Sequence, residues 1–508
     1  MCNGMNLSEN AGRQELGRRI QSAIMASGQG SLSAFAGRLG WSRALIYQYV
    51  KGDVLVQLDR LQSIGEATGK PLEWFLAPDP NSTSTEIREL ETRVSELEGT
   101  LGRAHAELAE ARGARLEQER QRRQEELGLL RELCLAHRRS GNSQAMVEVG
   151  TRWLGVAEAA GDARMVMDAQ LQLGNAWFAS GDIARAQAAL EAALRAAVEL
   201  EDGRAELSAR QELVRTLQAS GRIDEAREQA QHVAAGERWW PRWSGLVSLA
   251  ALAEQTGELD AAEEFIARAQ AVVQEPDAPE QQRPLAEAYV LSNRVNVLIA
   301  RGRYDVALRT SADMHSLAQV AGLADQMREA MLNAALCHLR LGHIDPAEYQ
   351  VDRVQRWTTL EPDARAELVA RVIEAEALLY RGDLTGAKEC ARDAIERATA
   401  AGRGQLLAEA ELALGRAYLA EARGDDARYH LERCRDRARR LQFKKVEMSA
   451  ELALARGALM SGTPAAIEHL GRLGRMCAEI GYEDLAAEAE DLLGAGGKPY
   501  TGRRRDNE

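Results

Sequence analysis

The stretch SLSAFAGRLGWSRALIYQYVKG, residues 31–52, predicts two helices joined by a tight turn. Ser31 and Ser42 can each cap a helix, because a serine hydroxyl accepts a hydrogen bond from a free amide of the first turn. Gly40 and Gly52 can end the two helices, since glycine adopts the left-handed conformation at a helix C-terminus without a Cβ penalty. Apolar residues repeat on one face of each helix, at Leu32, Phe35, Ala36 and Leu39 in the first and at Leu45, Ile46 and Tyr49 in the second.

The small Ala36, the turn residue Gly40 and the β-branched Ile46 are spaced as in a helix-turn-helix. Residues 13–76 resemble the lambda-repressor-like (Xre-type) helix-turn-helix family, which implies a domain of five helices. In that family the second helix of the motif enters the major groove of DNA. The resemblance implies that DNA is contacted by the residues that point away from the buried face, namely Ser42, Arg43, Ala44, Tyr47, Gln48 and Lys51.

Three of these side chains have a chemistry that suits DNA. Arg43 can read guanine and Gln48 can read adenine through paired hydrogen bonds, and Lys51 can contact a phosphate. The alternative is a solvated helix in a protein-binding module. Residues 1–80 contain eight basic and seven acidic side chains. We expect one such domain to bind DNA weakly, because affinity depends on phosphate neutralisation, and two linked copies to bind better through effective concentration.

The composition predicts an all-α protein with reduced thiols. The chain has 508 residues, too many for one compact domain, and it is 45% hydrophobic but only 5% aromatic. The net charge of −13 does not by itself favour a nucleic-acid coat. Six cysteines without a C-x-x-C motif indicate core thiols in a cytoplasmic protein. We expect neither a signal peptide nor a membrane span.

A heptad pattern predicts a coiled coil after the first domain. Its apolar a positions are Ile87, Val94, Leu101 and Leu108, and its d positions are Leu90, Leu97, Ala104 and Ala111. In a parallel dimer two flanking pairs would attract each other across the seam, Arg93 with Glu98 and Glu107 with Arg112. The alternative is one amphipathic helix that packs within a single chain. The charged residues 112–126 are expected to form a solvated helix, because acids alternate with the arginines.

A glycine followed five residues later by an alanine recurs through the rest of the chain. The motif reads GDIARA at 181, GRIDEA at 221, GELDAA at 257, GRYDVA at 302, GHIDPA at 342 and GDLTGA at 382. Successive alanines are 36 to 45 residues apart, and Ala427 continues the series with Ala422 in the place of the glycine. Glycine would turn the chain between a helix A and a helix B, and alanine would let B pack closely on A. One such hairpin cannot bury its apolar face, so the copies are expected to stack into a superhelix.

The array resembles tetratricopeptide repeats, most clearly in LQLGNAWFASGDIARAQAALEAAL, residues 171–194. The resemblance implies an α-solenoid over residues 127–492 whose concave groove, lined by the A helices, binds a peptide or protein segment. The repeat register implies that the groove presents Asn175, Gln211, Arg215, Asn296 and Arg416, together with Phe178, Gln218, Tyr289 and Glu376. The amides could pair with a peptide backbone, and the two arginines could hold a carboxylate. Alternatively, these are merely solvated residues of the inner surface.

The segment WWPRW, residues 239–243, is conspicuous in a chain that is poor in aromatic residues. One interpretation is packing where the repeat shortens to 36 residues. The other is an anchor pocket for an apolar side chain of a ligand.

These patterns divide the chain into six segments. We expect a flexible leader at 1–12, the helix-turn-helix domain at 13–77, a linker at 78–85, a coiled coil and charged helix at 86–126, the repeat array at 127–492 and a disordered tail at 493–508.

No motif for catalysis, a cofactor or a metal is apparent, so we expect no enzyme and no cofactor. The order of the parts resembles the peptide-pheromone-sensing regulators of Gram-positive bacteria. We therefore expect a cytoplasmic, homodimeric transcription regulator that binds double-stranded DNA and a peptide or protein effector. The alternatives are a scaffold or adaptor built on the repeats, without specific DNA binding, and a regulatory subunit of an enzyme.

Overall fold

The structure is a computed structural model that describes residues 5–77, 80–139, 142–361 and 363–494. Every regular element within these residues is an α-helix, which confirms the all-α class. The chain divides into two compact units, residues 1–117 and 118–508.

Five helices open the first unit: α1 (Met5–Ala26), α2 (Leu32–Arg38), α3 (Arg43–Lys51), α4 (Leu58–Thr68) and α5 (Leu72–Leu76). Their apolar faces form one core, in which Phe35, Ile46 and Ile64 have no solvent exposure. Helix α1 approaches the end of α3 so closely that a Cβ on Gly17 would overlap the carbonyl oxygen of Val50. A glycine is therefore required at this crossing.

The expected flexible leader differs from the structure. Helix α1 begins at Met5, so residues 5–12 are helical, and residues 1–4 lie outside the described residues. Residues 5–11 contain neither glycine nor proline, so nothing in their composition stops the helix from extending toward the N-terminus.

Helix α6 (Pro80–Arg139) is 60 residues long. The linker expected at 78–85 is therefore helical from Pro80 onward, and residues 78 and 79 lie outside the described residues. Proline suits the first position of a helix, because the missing N–H would have no partner there. The end of α6 contributes Leu127, Leu130 and Cys134 to the core of the array, where the repeats were expected to begin.

Helices of the second unit alternate between the A and B members of hairpins. The A helices are the end of α6, α8 (Ala163–Ser180), α10 (Gly203–Ser220), α12 (Trp239–Thr256), α14 (Arg283–Arg301), α16 (Ala324–Arg340), α18 (Ala364–Arg381), α20 (Gly404–Ala420) and α22 (Lys444–Met460). The B helices are α7 (Ser143–Ala160), α9 (Ile183–Glu199), α11 (Ile223–Ala234), α13 (Leu259–Val273), α15 (Tyr304–Ala321), α17 (Ile344–Leu360), α19 (Leu384–Ala400), α21 (Gly424–Arg440) and α23 (Ala465–Ile480). Helix α24 (Glu483–Gly494) follows them, and residues 495–508 lie outside the described residues.

The small residues of the repeat motif occupy the predicted places. The seven motif alanines are at most 2% exposed: Ala186, Ala226, Ala262, Ala307, Ala347, Ala387 and Ala427. The six motif glycines have φ angles between 80° and 87°, and Ala422 also has a positive φ of 59°. A Cβ on Gly174 would lie 2.5 Å from Cγ of Leu190, which shows how closely α8 and α9 approach each other.

The array closes on itself, which the sequence did not predict. Turns between A and B helices in the early repeats contact turns that lie four to six repeats further along the chain. A Cβ on Gly181 would overlap the carbonyl oxygen of Ala401. The amide of Gln442 donates to the carbonyl of Gly221 at 3.2 Å, and the amide of Gln255 donates to that of Leu441 at 2.7 Å. The superhelix therefore completes a full turn and its edges meet.

Lys445 strengthens this closure from the start of α22. Its ammonium donates to the carbonyl oxygens of Ile299 at 2.6 Å and Ala300 at 2.9 Å, and it pairs with Asp484 at 3.1 Å. The two carbonyls belong to the last turn of α14, and that of Ile299 also accepts from the amide of Gly302, the residue that follows the helix. Lys445 thus joins α14, α22 and α24.

Candidate functional site

The α2–α3 pair is built as the sequence indicated. The hydroxyl of Ser31 accepts from the amide of Ala34 at 3.4 Å, and that of Ser42 accepts from the amide of Leu45 at 3.2 Å. Gly40 and Gly52 have φ angles of 70° and 74° and follow the two helices. These local devices fix the angle at which α3 leaves the turn.

Burial separates the two faces of α3. Ile46 and Tyr49 are buried in the core of the first unit, and the ring of Tyr49 meets Trp41 edge to face at 6.3 Å. Arg60 of α4 donates to the hydroxyl of Tyr49 at 2.9 Å and lies over the Trp41 ring. The residues predicted to contact DNA are all exposed on the other side: Ser42, Arg43, Ala44, Tyr47, Gln48 and Lys51.

The charges of this exposed face remain available. Within the part of the chain that the structure describes, neither Arg43 nor Lys51 forms an ion pair, and residues 42–51 contain no acidic side chain. The neighbouring Arg38 is exposed and donates to the carbonyl of Gln29 at 3.1 Å. Two cations, one amide and one phenol therefore share a solvent-facing helix.

The apolar seam of α6 is exposed in the single chain. Five side chains of the predicted seam are 51–64% exposed: Leu90, Val94, Leu97, Leu101 and Leu108. The side chain of Ile87 lies outside the described residues. Leucine and valine at such exposure form an apolar stripe along α6, as expected of a helix that pairs with another helix.

Three predicted effector amides lie in the array with free hydrogen-bonding groups. Asn175, Gln211 and Asn296 are half-buried on the A helices α8, α10 and α14. Among the described residues no hydrogen bond engages their side-chain amides. Partly buried amides without protein partners can pair with an added backbone.

The two predicted effector arginines differ in their surroundings. Arg416 lies 3.4 Å from Glu376, which also pairs with Arg340 at 3.0 Å. Burial alone would raise the pKa of Glu376, but the two guanidinium groups hold that pKa below its usual value. Arg416 thus already has a carboxylate. Arg215 is exposed, pairs with Glu212 at 2.7 Å and lies 4.7 Å from the centre of the Phe178 ring.

Sequence reasoning missed two carboxyl groups of the array. Burial raises the pKa of Glu254 to about 7, with Lys445 opposing the shift and Glu409 adding to it. Burial likewise raises the pKa of Glu409 to about 7. The repeat register contained the signal, because Glu254 precedes Gly257 by the three residues that separate Phe178 from Gly181.

The WWPRW segment supports both interpretations in part. Trp239 and Trp243 are buried and stacked at 5.9 Å, and the indole of Trp239 donates to the carbonyl of Val272 at 2.9 Å. Trp240 and Tyr289 contact Trp243 and are partly exposed. Two tryptophans therefore belong to the core, and a smaller aromatic surface remains in contact with solvent.

The cysteines among the described residues are inert core residues. Five of them are buried and free, and Cys2 lies outside the described residues. Burial raises the pKa of Cys337, Cys390 and Cys434 to about 12, which disfavours the reactive thiolate. In the described ranges no group of acidic, histidine and cysteine side chains could hold a metal ion. No helix in those ranges is both long and apolar enough to cross a bilayer.

No protein-family model matches the chain, and the comparison with curated proteins gives no match. Solved structures resemble its helical architecture at low identity. A Rap protein complexed with competence and sporulation factor has a TM-score of 0.44 at 12% identity, and the match covers 65% of this chain and 97% of that one. NprR in complex with its cognate peptide NprX has a TM-score of 0.40 at 14% identity, over 57% and 82% of the two chains. A signal-transduction ATPase with a tetratricopeptide repeat sensor from Pyrococcus horikoshii has a TM-score of 0.40 at 12% identity, over 72% and 55%.

Proposed function

We propose that this chain is a sequence-specific, DNA-binding transcription regulator of the cytoplasm, that it acts as a homodimer, and that its array binds a peptide or protein effector. One observation carries the DNA-binding part: the exposed face of α3 presents Arg43, Gln48 and Lys51 without an acidic neighbour on that helix. A rigid helix with this side-chain set suits base and phosphate contacts in a major groove. The proposal assigns the chain no catalytic activity.

The dimer compensates for the weak charge of one domain. Eight basic and seven acidic side chains in residues 1–80 leave little net attraction for phosphates. The exposed stripe that contains Val94 and Leu101 would pair with the same stripe of a second copy. Two linked heads would then bind two half-sites with a higher effective concentration.

A second function has its own support. Val54, Leu55 and Leu58 are exposed beside α3, where apolar side chains favour contact with a protein. In this alternative the first unit docks a protein and the array serves as an adaptor.

Selection of random duplex DNA by the full-length protein at physiological salt tests the proposal. We expect enrichment of an inverted repeat, because a two-fold dimer reads two half-sites. Arg43→Ala and Gln48→Ala should each weaken binding about 10- to 100-fold and relax preference at one position, since a bidentate base contact contributes about 1–3 kcal/mol. Lys51→Ala should weaken binding to all sequences alike and reduce the salt dependence by about one charge.

Arg18→Ala, on the exposed surface of α1, is the matched control and should leave the selected sequence unchanged. Failure to enrich any sequence, both with the full chain and with residues 1–111, would favour the adaptor. Unchanged base preference in the Arg43 and Gln48 variants would remove α3 as the reading helix.

A further inference from the structure

Two arginines from distant repeats meet around one aromatic ring in the array. The guanidinium of Arg215 lies 4.7 Å and that of Arg403 lies 5.6 Å from the centre of the Phe178 ring. The two guanidinium carbons are therefore within about 10 Å of each other, although their residues are nearly 190 positions apart. A further arginine, Arg365 at the start of α18, lowers the pKa of Arg403 as a like charge.

The closure of the array creates this meeting. Gly181, three residues after Phe178, lies against Ala401 and Gly402 in the turn that precedes Arg403. Arg403 then caps α20 with its backbone while its side chain reaches back over Phe178. The cluster thus spans the line where early and late repeats touch.

The positive charges of the cluster are incompletely neutralised. Within the described ranges, neither Arg365 nor Arg403 has an ion pair, and only Arg215 does, with Glu212. Asp363 also acts on Arg403, but its carboxylate binds Arg328 at 3.1 Å and caps α18. Glu409 acts on Arg365, and burial raises the pKa of this glutamate to about 7, so that it is only partly charged at neutral pH.

The arginines of this cluster repel one another. Burial lowers the pKa of Arg403, and Arg365 and Arg215 lower it further, so these cations are less stable together than apart. A fold that brings like charges together with incomplete neutralisation gains stability when an anion binds there.

We propose that the array binds a ligand oxyanion, a carboxylate or a phosphate, beside Phe178, where Arg403 of a late repeat and Arg215 of an early repeat hold it and Arg365 adds positive charge. Guanidinium groups suit this role, because their planar N–H fork matches both groups. The proposal deepens the effector binding proposed above and rests on it. The ligand would join the two edges of the closed superhelix, so its binding would stabilise the closed form.

Titration of the full-length protein with citrate, inorganic phosphate or potassium acetate tests the site, with potassium chloride at matched ionic strength as the reference. We expect citrate or phosphate to raise the melting temperature and to bind in calorimetry. The variant Arg365→Gln, Arg403→Gln should lose at least tenfold in that affinity. Without the anion this variant should be at least as stable as the wild type, because the repulsion is gone.

Arg294→Gln is the matched control, since Arg294 is an exposed arginine on the A helix α14, and it should behave as the wild type. Binding of citrate alone indicates a carboxylate ligand, and binding of phosphate alone indicates a phosphate ligand. No protection beyond chloride, or equal protection in the double variant, overturns the proposal. Selection of a DNA sequence does not depend on this site, so that result distinguishes failure of the anion site from failure of the regulator.

Discussion

Single residues determine most of the local structure, and their effects could be predicted from the sequence. Gly181 and Ala186 define a hairpin because their effects act within one turn and one helix pair. The same holds for Ser31 and Ser42, which cap the helices that they were expected to cap. The raised pKa of Glu254 could not be predicted in this way, since burial causes it and Lys445 and Glu409 of distant repeats act on it.

The two glutamates predict a pH dependence of stability. In the folded state the pKa values of Glu254 and Glu409 are about 7, against an ordinary value of 4.5. The folded state therefore binds more protons between these values, and the free energy of unfolding should fall as the pH rises from about 5 to 8. The loss is at most about 3 kcal/mol per carboxyl. Chemical denaturation at several pH values measures it.

Glu254→Gln, Glu409→Gln should remove this fall and be at least as stable as the wild type at pH 8. Burial lowers the pKa values of His338 and His430, which act in the opposite direction below pH 7, so the difference between wild type and variant isolates the carboxyls. The exposed Glu237→Gln is the control. Identical pH profiles for the wild type and the double variant would contradict this account.

At the scale of elements, helix α6 shows what periodicity does and does not reveal. The heptad from Val94 to Leu108 predicted a helical seam; the structure shows a helix there with these side chains exposed, and the pairing stays a prediction. The composition of residues 78–85 indicated a linker, because proline, asparagine and serine are common in loops. The same residues are also common at helix N-termini, and here Pro80 starts the helix. Composition could not choose between the two, since both need residues of the same type.

The apolar stripe of α6 also predicts that the protein is a dimer. Val94→Asp, Leu101→Asp would place charges in the proposed seam, where burial of an unpaired carboxylate is strongly unfavourable. We expect the dimer to dissociate more than about 100-fold more readily, as measured by sedimentation equilibrium. Ser95→Asp, Gly102→Asp adds the same charge on the outer face and should leave the dimer intact. If the seam variant sediments as a dimer, another surface holds the copies together.

At the scale of the whole array, the sequence predicted the hairpins but not their closure. Each repeat adds a small rotation, and the meeting of Gly181 with Ala401 depends on the sum of these rotations over several repeats. No short stretch of sequence indicates the sum of these rotations. The arginine cluster around Phe178 was hidden for the same reason, although Arg215 and Phe178 were both expected in the groove.

Alanine substitution at two glycines would measure how much the closure contributes to the free energy of unfolding. Gly181 and Gly342 have φ angles of 87° and 80° at equivalent turns, but only Gly181 lies against another turn of the superhelix. Gly342→Ala should lower the free energy of unfolding by about 1 kcal/mol, because only the left-handed backbone conformation disfavours alanine there. Gly181→Ala should cost about 2 kcal/mol more, because its Cβ overlaps Ala401. If both variants lose the same free energy of unfolding in urea, the closure contributes nothing to the stability of the array.

The closure also has a consequence for synthesis on the ribosome. An open solenoid can fold repeat by repeat as it emerges, since each unit contacts only its neighbours. Here the turns at Gly181 and Gly221 find their partners only after about 220 further residues have been made. At typical elongation rates of about 5–20 residues per second, this delay is about 10–45 s. For that interval the nascent chain carries one uncovered edge of the superhelix.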